Sequence, residues 1–158
     1  GQVPDLRLAI AGDGDLRDAL AARAAGAPVT LLGRQTQDEV GALFSAADVV
    51  AVPSVRDEAG NVDGLPNVAL EALASATPVV GTTAGGLPQA IEDGVNGRLV
   101  PERDAAALAS AIGTLLAQPV RAREIGLRAR ARVERDYGWA RTAERFEIAY
   151  ARARESRP

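Results

Sequence analysis

An α/β fold is what this sequence predicts: a parallel sheet of about five to six strands, helices on both faces, and a helical extension at the C-terminus. Three observations predict it. Short apolar runs alternate with longer stretches whose apolar residues recur at helical spacing. Glycine or proline turns close the strand-like runs. From Asp104 onward the pattern is almost wholly helical, with breaks near Gln118-Pro119 and Tyr137-Gly138. Strands joined through helices cross over in parallel, because a tight hairpin reverses the chain and a helix returns it.

The elements follow in order. Leu6–Ala11 reads as a buried strand ended by Gly12-Asp13-Gly14. Asp15–Ala25 carries Leu16, Ala19, Leu20 and Arg23 at helical spacing, and Gly26 with Pro28 stops it. Val29–Leu32 is a second strand, closed by Gly33. Thr36 followed by Glu39 is a capping box, so a helix starts there and runs through Val40, Leu43 and Phe44. Asp48–Val52 is a third strand, ended by Pro53-Ser54. A polar loop leads to Gly64-Leu65-Pro66 and a helix to about Ser75. Pro78–Val80 is a fourth strand, Gly85-Gly86 a turn, and Gly97–Val100 a fifth strand.

Composition narrows the chemistry. The chain has 158 residues, 47% hydrophobic and 25% charged, close to the globular average. It contains neither cysteine nor histidine, which excludes disulfides, thiolate zinc sites, cysteine nucleophiles and the usual general base. No run approaches a membrane span. All 18 basic residues are arginine and the net charge is −3, against a dedicated nucleic-acid binder. The charge is uneven: residues 119–158 carry 11 Arg against 6 acids, and residues 1–118 carry 7 against 15. The absence of methionine leads us to expect a piece of a longer protein.

A parallel sheet collects ligands at the carboxyl ends of its strands, which draws attention to three loops. Gly12-Asp13-Gly14-Asp15 begins like a dinucleotide fingerprint, but Arg17 stands where the third glycine belongs. The loop is therefore open to three readings: a tight turn with dipole-stabilised acids, a D-x-D metal motif, or glycines that let backbone lie against a ligand. In Asp63-Gly64-Leu65-Pro66-Asn67-Val68-Ala69-Leu70-Glu71, Pro66 suits a helix start. The amides of Asn67 and Val68 then face the loop with the helix dipole behind them, an anion site. Glu71, four residues beyond Asn67, shares its face and can accept hydrogen bonds from two ribose hydroxyls. A solvated Glu on an amphipathic helix fits the same periodicity.

The order of these segments resembles the group 1 (family 4) retaining glycosyltransferases of the GT-B type, in their C-terminal, Rossmann-like, nucleotide-sugar-binding domain. The resemblance is carried by Leu8–Gly14, Leu32-Gly33-Arg34, Ala47–Ser54, the helix opening at Pro66, Ala76–Thr82, Gly85–Pro88 and Glu92–Val100, in that order. It implies a Rossmann-like domain over residues 1–118, with residues 119–158 as C-terminal helices packing on it and the acceptor-binding N-terminal domain outside this chain. The family's E-x7-E pair maps onto Asp63 and Glu71 as catalytic residues, the second on the ribose and the first near the transferred sugar. Asp63 is one methylene shorter than the family's glutamate.

Donor binding is implied for Gly12, Gly14, Gly33, Arg34, Gln35, Gly64, Leu65, Pro66, Asn67, Val68 and Glu71, with no metal and no cofactor. The substrate implied is a UDP-, GDP- or ADP-sugar, and the acceptor a glycan or lipid. Gln35 would meet the base, while Arg34 either stacks on it or lies in solvent. Gln89 departs from a frequent glutamate. The family's diphosphate-facing Arg and Lys lie upstream of the first motif, so binding without turnover is expected of this chain; only Arg34 or Arg56, with loops folded inward, would replace them. The alternative is a non-catalytic Rossmann-like nucleotide-binding or interaction module.

The basic tail is expected to pack Ile125, Leu127, Val133, Phe146, Ile148 and Tyr150 on the domain with arginines outward. Its basic face would otherwise serve the N-terminal domain, with Trp139 in the seam, or a peripheral membrane contact. The expected place is the cytoplasm, at the inner face of the membrane where that contact forms.

Overall fold

The computed structural model describes residues 5–155, which fall into two compact units that divide between Ala47 and Asp48. The first unit holds β1 (Leu8–Ala11), α1 (Arg17–Ala24), β2 (Val29–Gly33) and α2 (Gln37–Ala46). β1 and β2 pair in parallel, Leu8 against Val29 and Ile10 against Leu31, with a register shift before Ala11 meets Gly33. α1 begins at Arg17, two residues later than the spacing predicts, because the Arg17 amide closes a turn on the Gly14 carbonyl at 2.9 Å. The capping box predicted for α2 is formed. The Thr36 amide donates to Glu39 Oε2 at 2.7 Å, and the Glu39 amide donates to Thr36 Oγ1 at 3.3 Å. The Thr36 amide and hydroxyl both hold the Glu39 carboxyl below its ordinary pKa.

The second unit holds β3 (Val50–Val52), α3 (Asn67–Ala74), β4 (Val79–Thr82), α4 (Leu87–Ala90), β5 (Arg98–Val100), α5 (Ala105–Leu116), α6 (Pro119–Asp136) and α7 (Trp139–Glu155). β4 is central and pairs in parallel with β3 and β5. All four residues of β4 are buried, as expected for a strand covered on both faces. Val80 and Val100 form one core cluster with Ala111 and Leu115 of α5 and Ala122 and Ile125 of α6.

The fold class is as predicted, with five strands among the described residues where five to six were expected: two paired within the first unit and three within the second. Apolar runs say where strands form; pairing partners are chosen by packing, which the runs do not encode. α4, a single turn after Gly85-Gly86, was not predicted, since one turn is too short for periodicity to register.

The tail differs more. α6 buries Ala122, Ile125, Gly126 and Ala129 at i, i+3, i+4 and i+7, and packs against α3 and α5. Leu127, Phe146, Ile148 and Tyr150 are exposed instead, and Trp139 is 89% exposed. Three arginines expected outward turn onto the unit. Arg128 Nε reaches the Val95 carbonyl at 2.7 Å, Arg132 the Gln89 carbonyl at 2.9 Å, and Arg121 the Gly94 carbonyl at 3.4 Å. Periodicity shows which residues share a face, not whether a partner meets it.

Candidate functional site

The donor-binding residues read from the sequence divide between the two units. In the first, Gly12, Gly33, Asp13 and Arg17 come together at the carboxyl ends of β1 and β2. The Gly12 amide donates to the Gly33 carbonyl at 2.8 Å. Gly12 sits at φ +137°, a conformation that costs glycine nothing and strains other residues. Gly12 and Gly14 line a cavity of about 440 Å³ that Ile10, Leu20 and Leu31 floor with apolar surface. Arg17 also lines it, with its guanidinium 3.8 Å from Asp13 and against Gly33. Arg17, which breaks the dinucleotide fingerprint, therefore brings a cation to this strand end. Asp13 lies in the loop before α1, so no helical spacing announces the pair.

Arg34 is exposed. Gln35 spends its amide nitrogen on its own turn, donating to the Leu32 carbonyl at 2.9 Å and the Arg34 carbonyl at 3.1 Å. Its side-chain carbonyl is the group left to meet a ligand.

In the second unit, the sequence from Asp63 to Glu71 passes from loop into α3. Pro66 is the N-cap, at φ −60° and ψ 127°, and no side chain caps the helix. The first-turn amides of Asn67 and Val68 are thus left without the side-chain acceptor that usually satisfies them. Ala69, Ala72 and Leu73 form the buried side of α3. Asn67 and Glu71, one turn apart, lie on the opposite side and are exposed, as are Asp63, Gly64 and Val68; Leu65 and Pro66 are half-buried.

The turn Gly85-Gly86 fixes where this loop ends. The Gly86 amide donates to the Gly64 carbonyl. A Cβ on Gly85 would overlap the Asp63 carbonyl, and one on Gly86 the Gly64 carbonyl. Only glycine lets two backbones approach this closely.

The start of the loop is held as firmly. Thr82 Oγ1 donates to the Ser54 carbonyl at 2.5 Å, and the Arg56 amide donates to Glu102 Oε2 at 2.7 Å. Arg103 Nη2 donates to the Arg56 carbonyl at 2.6 Å. Arg56 does not fold toward α3. Its guanidinium closes on its own loop at the Gly60 carbonyl, 3.0 Å away. Asp57 accepts from the Asn61 amide and side chain at 2.7 and 2.9 Å, which holds its carboxyl below the ordinary range. Sequence reasoning missed Thr82, Glu102 and Arg103, and no local pattern marks them: Glu102 is 46 residues from Arg56.

Among the described residues, no three acidic side chains gather as a metal cluster would require, and no helix is long and apolar enough to cross a membrane.

A family profile described as glycosyl transferases group 1 matches residues 1–118. The chain belongs to the group 1 glycosyltransferases. Among relatives of this glycosyltransferase domain, the D-inositol 3-phosphate glycosyltransferase of Nocardia farcinica is 41% identical over 125 residues, covering 79% of this chain and 26% of that protein. The chain therefore spans about a quarter of that relative's length. Among solved structures, sucrose-phosphate synthase from Thermosynechococcus elongatus superposes with a TM-score of 0.82 at 30% identity, over 98% of this chain and 40% of that one. HepE from Anabaena, crystallised with UDP-glucose, superposes with a TM-score of 0.74 at 26% identity, over 84% of this chain and 37% of that one. This glycosyltransferase domain thus has the GT-B relatives that its motif order predicts.

Proposed function

We propose that this domain is the donor-binding half of a retaining hexosyltransferase that needs no metal, and that it takes a UDP-, GDP- or ADP-sugar whose hexosyl group passes to a glycan or lipid acceptor. The observation that carries the reading is the uncapped start of α3 with Glu71 one turn further along the same exposed side. Amides of Asn67 and Val68 suit a diphosphate, and a carboxylate at Glu71 suits the adjacent hydroxyls of a ribose. The UDP-glucose held by HepE supports the same ligand class.

The chemistry required of such a half is electrostatic. Breaking the bond between sugar and diphosphate builds negative charge on the departing phosphate. Fixed amide dipoles aimed there lower the barrier without reorganising. Asp63, at the end of the tethered loop and four residues before α3, takes the sugar side. In the first unit, Arg17, Arg34 and the backbone around Gly12, Gly14, Gly33 and Gln35 make a strand end suited to a nucleoside. The acceptor and the groups facing it belong to the N-terminal domain. The exposed stripe of α7, with Trp139, Phe146 and Tyr150, is the surface offered to that domain or to a membrane.

Titrating the chain with UDP, GDP and ADP, with and without Mn²⁺, tests this. Saturable binding without metal is expected. Glu71→Ala is expected to weaken it by about 2 kcal/mol, the loss typical of hydrogen bonds to a charged group, with the unfolding midpoint unchanged. A strict Mn²⁺ requirement would move the site to Asp13 and Asp15. Asp63, shorter than the family's glutamate, favours one second reading, a nucleotide-binding module without transfer. Binding of the nucleotide with no turnover in the full-length protein would select it.

A further inference from the structure

The loop between β3 and α3 is anchored by residues far away in sequence, and the anchors lie outside the donor-binding set. Ser54 and Arg56, at its entry, are held by Thr82 from β4 and by Glu102 and Arg103 just after β5. Next comes a closed turn. The Asp57 amide donates to the Asn61 carbonyl at 2.9 Å, Gly60 donates back to Asp57, and the Arg56 guanidinium lies on Gly60. Asp63 follows two residues after Asn61, and Gly64 is held by Gly86. Hydrogen bonds therefore hold the loop from its entry as far as Asn61, starting at the Glu102 carboxylate, and hold it again at Gly64, with Val62 and Asp63 between the two anchored stretches.

Residue choice at the anchor points the same way. Arg103 adopts a left-handed backbone at φ +60°, where glycine sits without strain. An arginine is strained there, and its guanidinium is the group that holds the Arg56 carbonyl. Glu102 is half-buried and accepts a main-chain N–H, a charge-assisted bond that neutral side chains make less strongly.

We infer that Glu102, assisted by Arg103, is a positioning residue: it holds the Ser54–Gly64 loop in the one conformation that presents Asp63 beside the start of α3. That Asp63 then meets a donor sugar rests on the function proposed above. The anchoring itself does not.

The test has two arms, both on the 158-residue chain. In the first, amide hydrogen exchange is followed by NMR without ligand. Glu102→Ala is expected to speed exchange at Arg56 and at Gly60 and Asn61 roughly tenfold, with the β4 amides unchanged. Glu102→Gln, which keeps an oxygen acceptor, restores most of the protection, and Arg103→Ala gives a smaller increase at the same residues. Exchange at Arg56–Asn61 equal to the parent overturns the inference. So does acceleration spread evenly over the whole chain, which would make Glu102 a general stabiliser.

In the second arm, UDP and UDP-glucose are titrated into each variant. Glu102→Ala is expected to weaken UDP-glucose more than UDP, because Asp63 serves the sugar and α3 the diphosphate, and Glu102→Gln narrows the gap. Equal weakening of both ligands removes the sugar role of Asp63 and leaves the anchoring to the exchange arm. A parent that binds neither overturns the proposed function instead, and the exchange arm then decides the anchoring alone.

Discussion

The two units make their secondary structure by the same local rules and stabilise it very differently. Among the described residues up to Ala47, Phe44 is the one buried residue, and Leu6, Leu8, Leu16 and Leu20 are all substantially exposed. The unit beginning at Asp48 has Leu73, Val79, Val80 and Leu87 fully buried, with helices packed around β4. Two paired strands with two short helices bury little apolar surface, whereas three strands covered by helices form a core. Capping and turn chemistry can thus specify an element completely while contributing little to its stability.

Substitution tests this contrast most strongly in the core. Leu73→Ala is expected to cost about 3 kcal/mol, because the cavity left behind cannot collapse; Leu16→Ala, 69% exposed, should cost less than about 0.5 kcal/mol. Urea midpoints compare the two, and equal losses would erase the distinction between the units.

Thr36→Ala should cost about 1 kcal/mol through loss of the α2 cap. The loss should appear as faster amide exchange in α2 and none in β4, which would show the first unit opening by itself.

The smallest effect expected is with acid. Asp57 has its pKa lowered in the fold by its hydrogen bonds with Asn61. Its contribution is therefore complete above about pH 4, the ordinary aspartate range, and is lost as pH falls through the lowered value. The protection of the Asn61 amide, its intrinsic exchange rate over the observed one at the same pH, should fall on acidification, and Asp57→Asn should remove most of that pH dependence.

Much of the fold was legible before any coordinates. The Thr36/Glu39 box, the Pro66 start of α3 and the break at Gly138 each fell within a residue or two of the observed boundary, because capping and turn signals act over three or four residues. The candidate site was legible in part. Asn67 and Glu71 share a helix side by spacing alone, and the exposure of both agrees with it. Other parts depended on distant contacts. Gly85 and Gly86 are glycines because the Asp63–Gly64 backbone lies on them, and Arg56 is held within its own loop by contacts its sequence neighbours do not announce.

The tail marks the boundary most plainly. Spacing groups Ala122, Ile125 and Ala129, and tertiary packing buries them. Equally regular spacing groups Trp139, Phe146 and Tyr150, and these are exposed.

By itself, then, the sequence determined every element but α4, most of their ends to within a residue or two, the family and the acids at and before α3, since each is written in short-range patterns of polarity, turn residues and caps. Only the tertiary structure decided that β4 is the central strand of its sheet, that three arginines of α6 reach backbone carbonyls of their own unit, and that Glu102 and Arg103 hold a loop some 46 residues away. The physical reason is that which surfaces meet depends on the free energy of packing whole elements together, and no window of neighbouring residues contains that quantity.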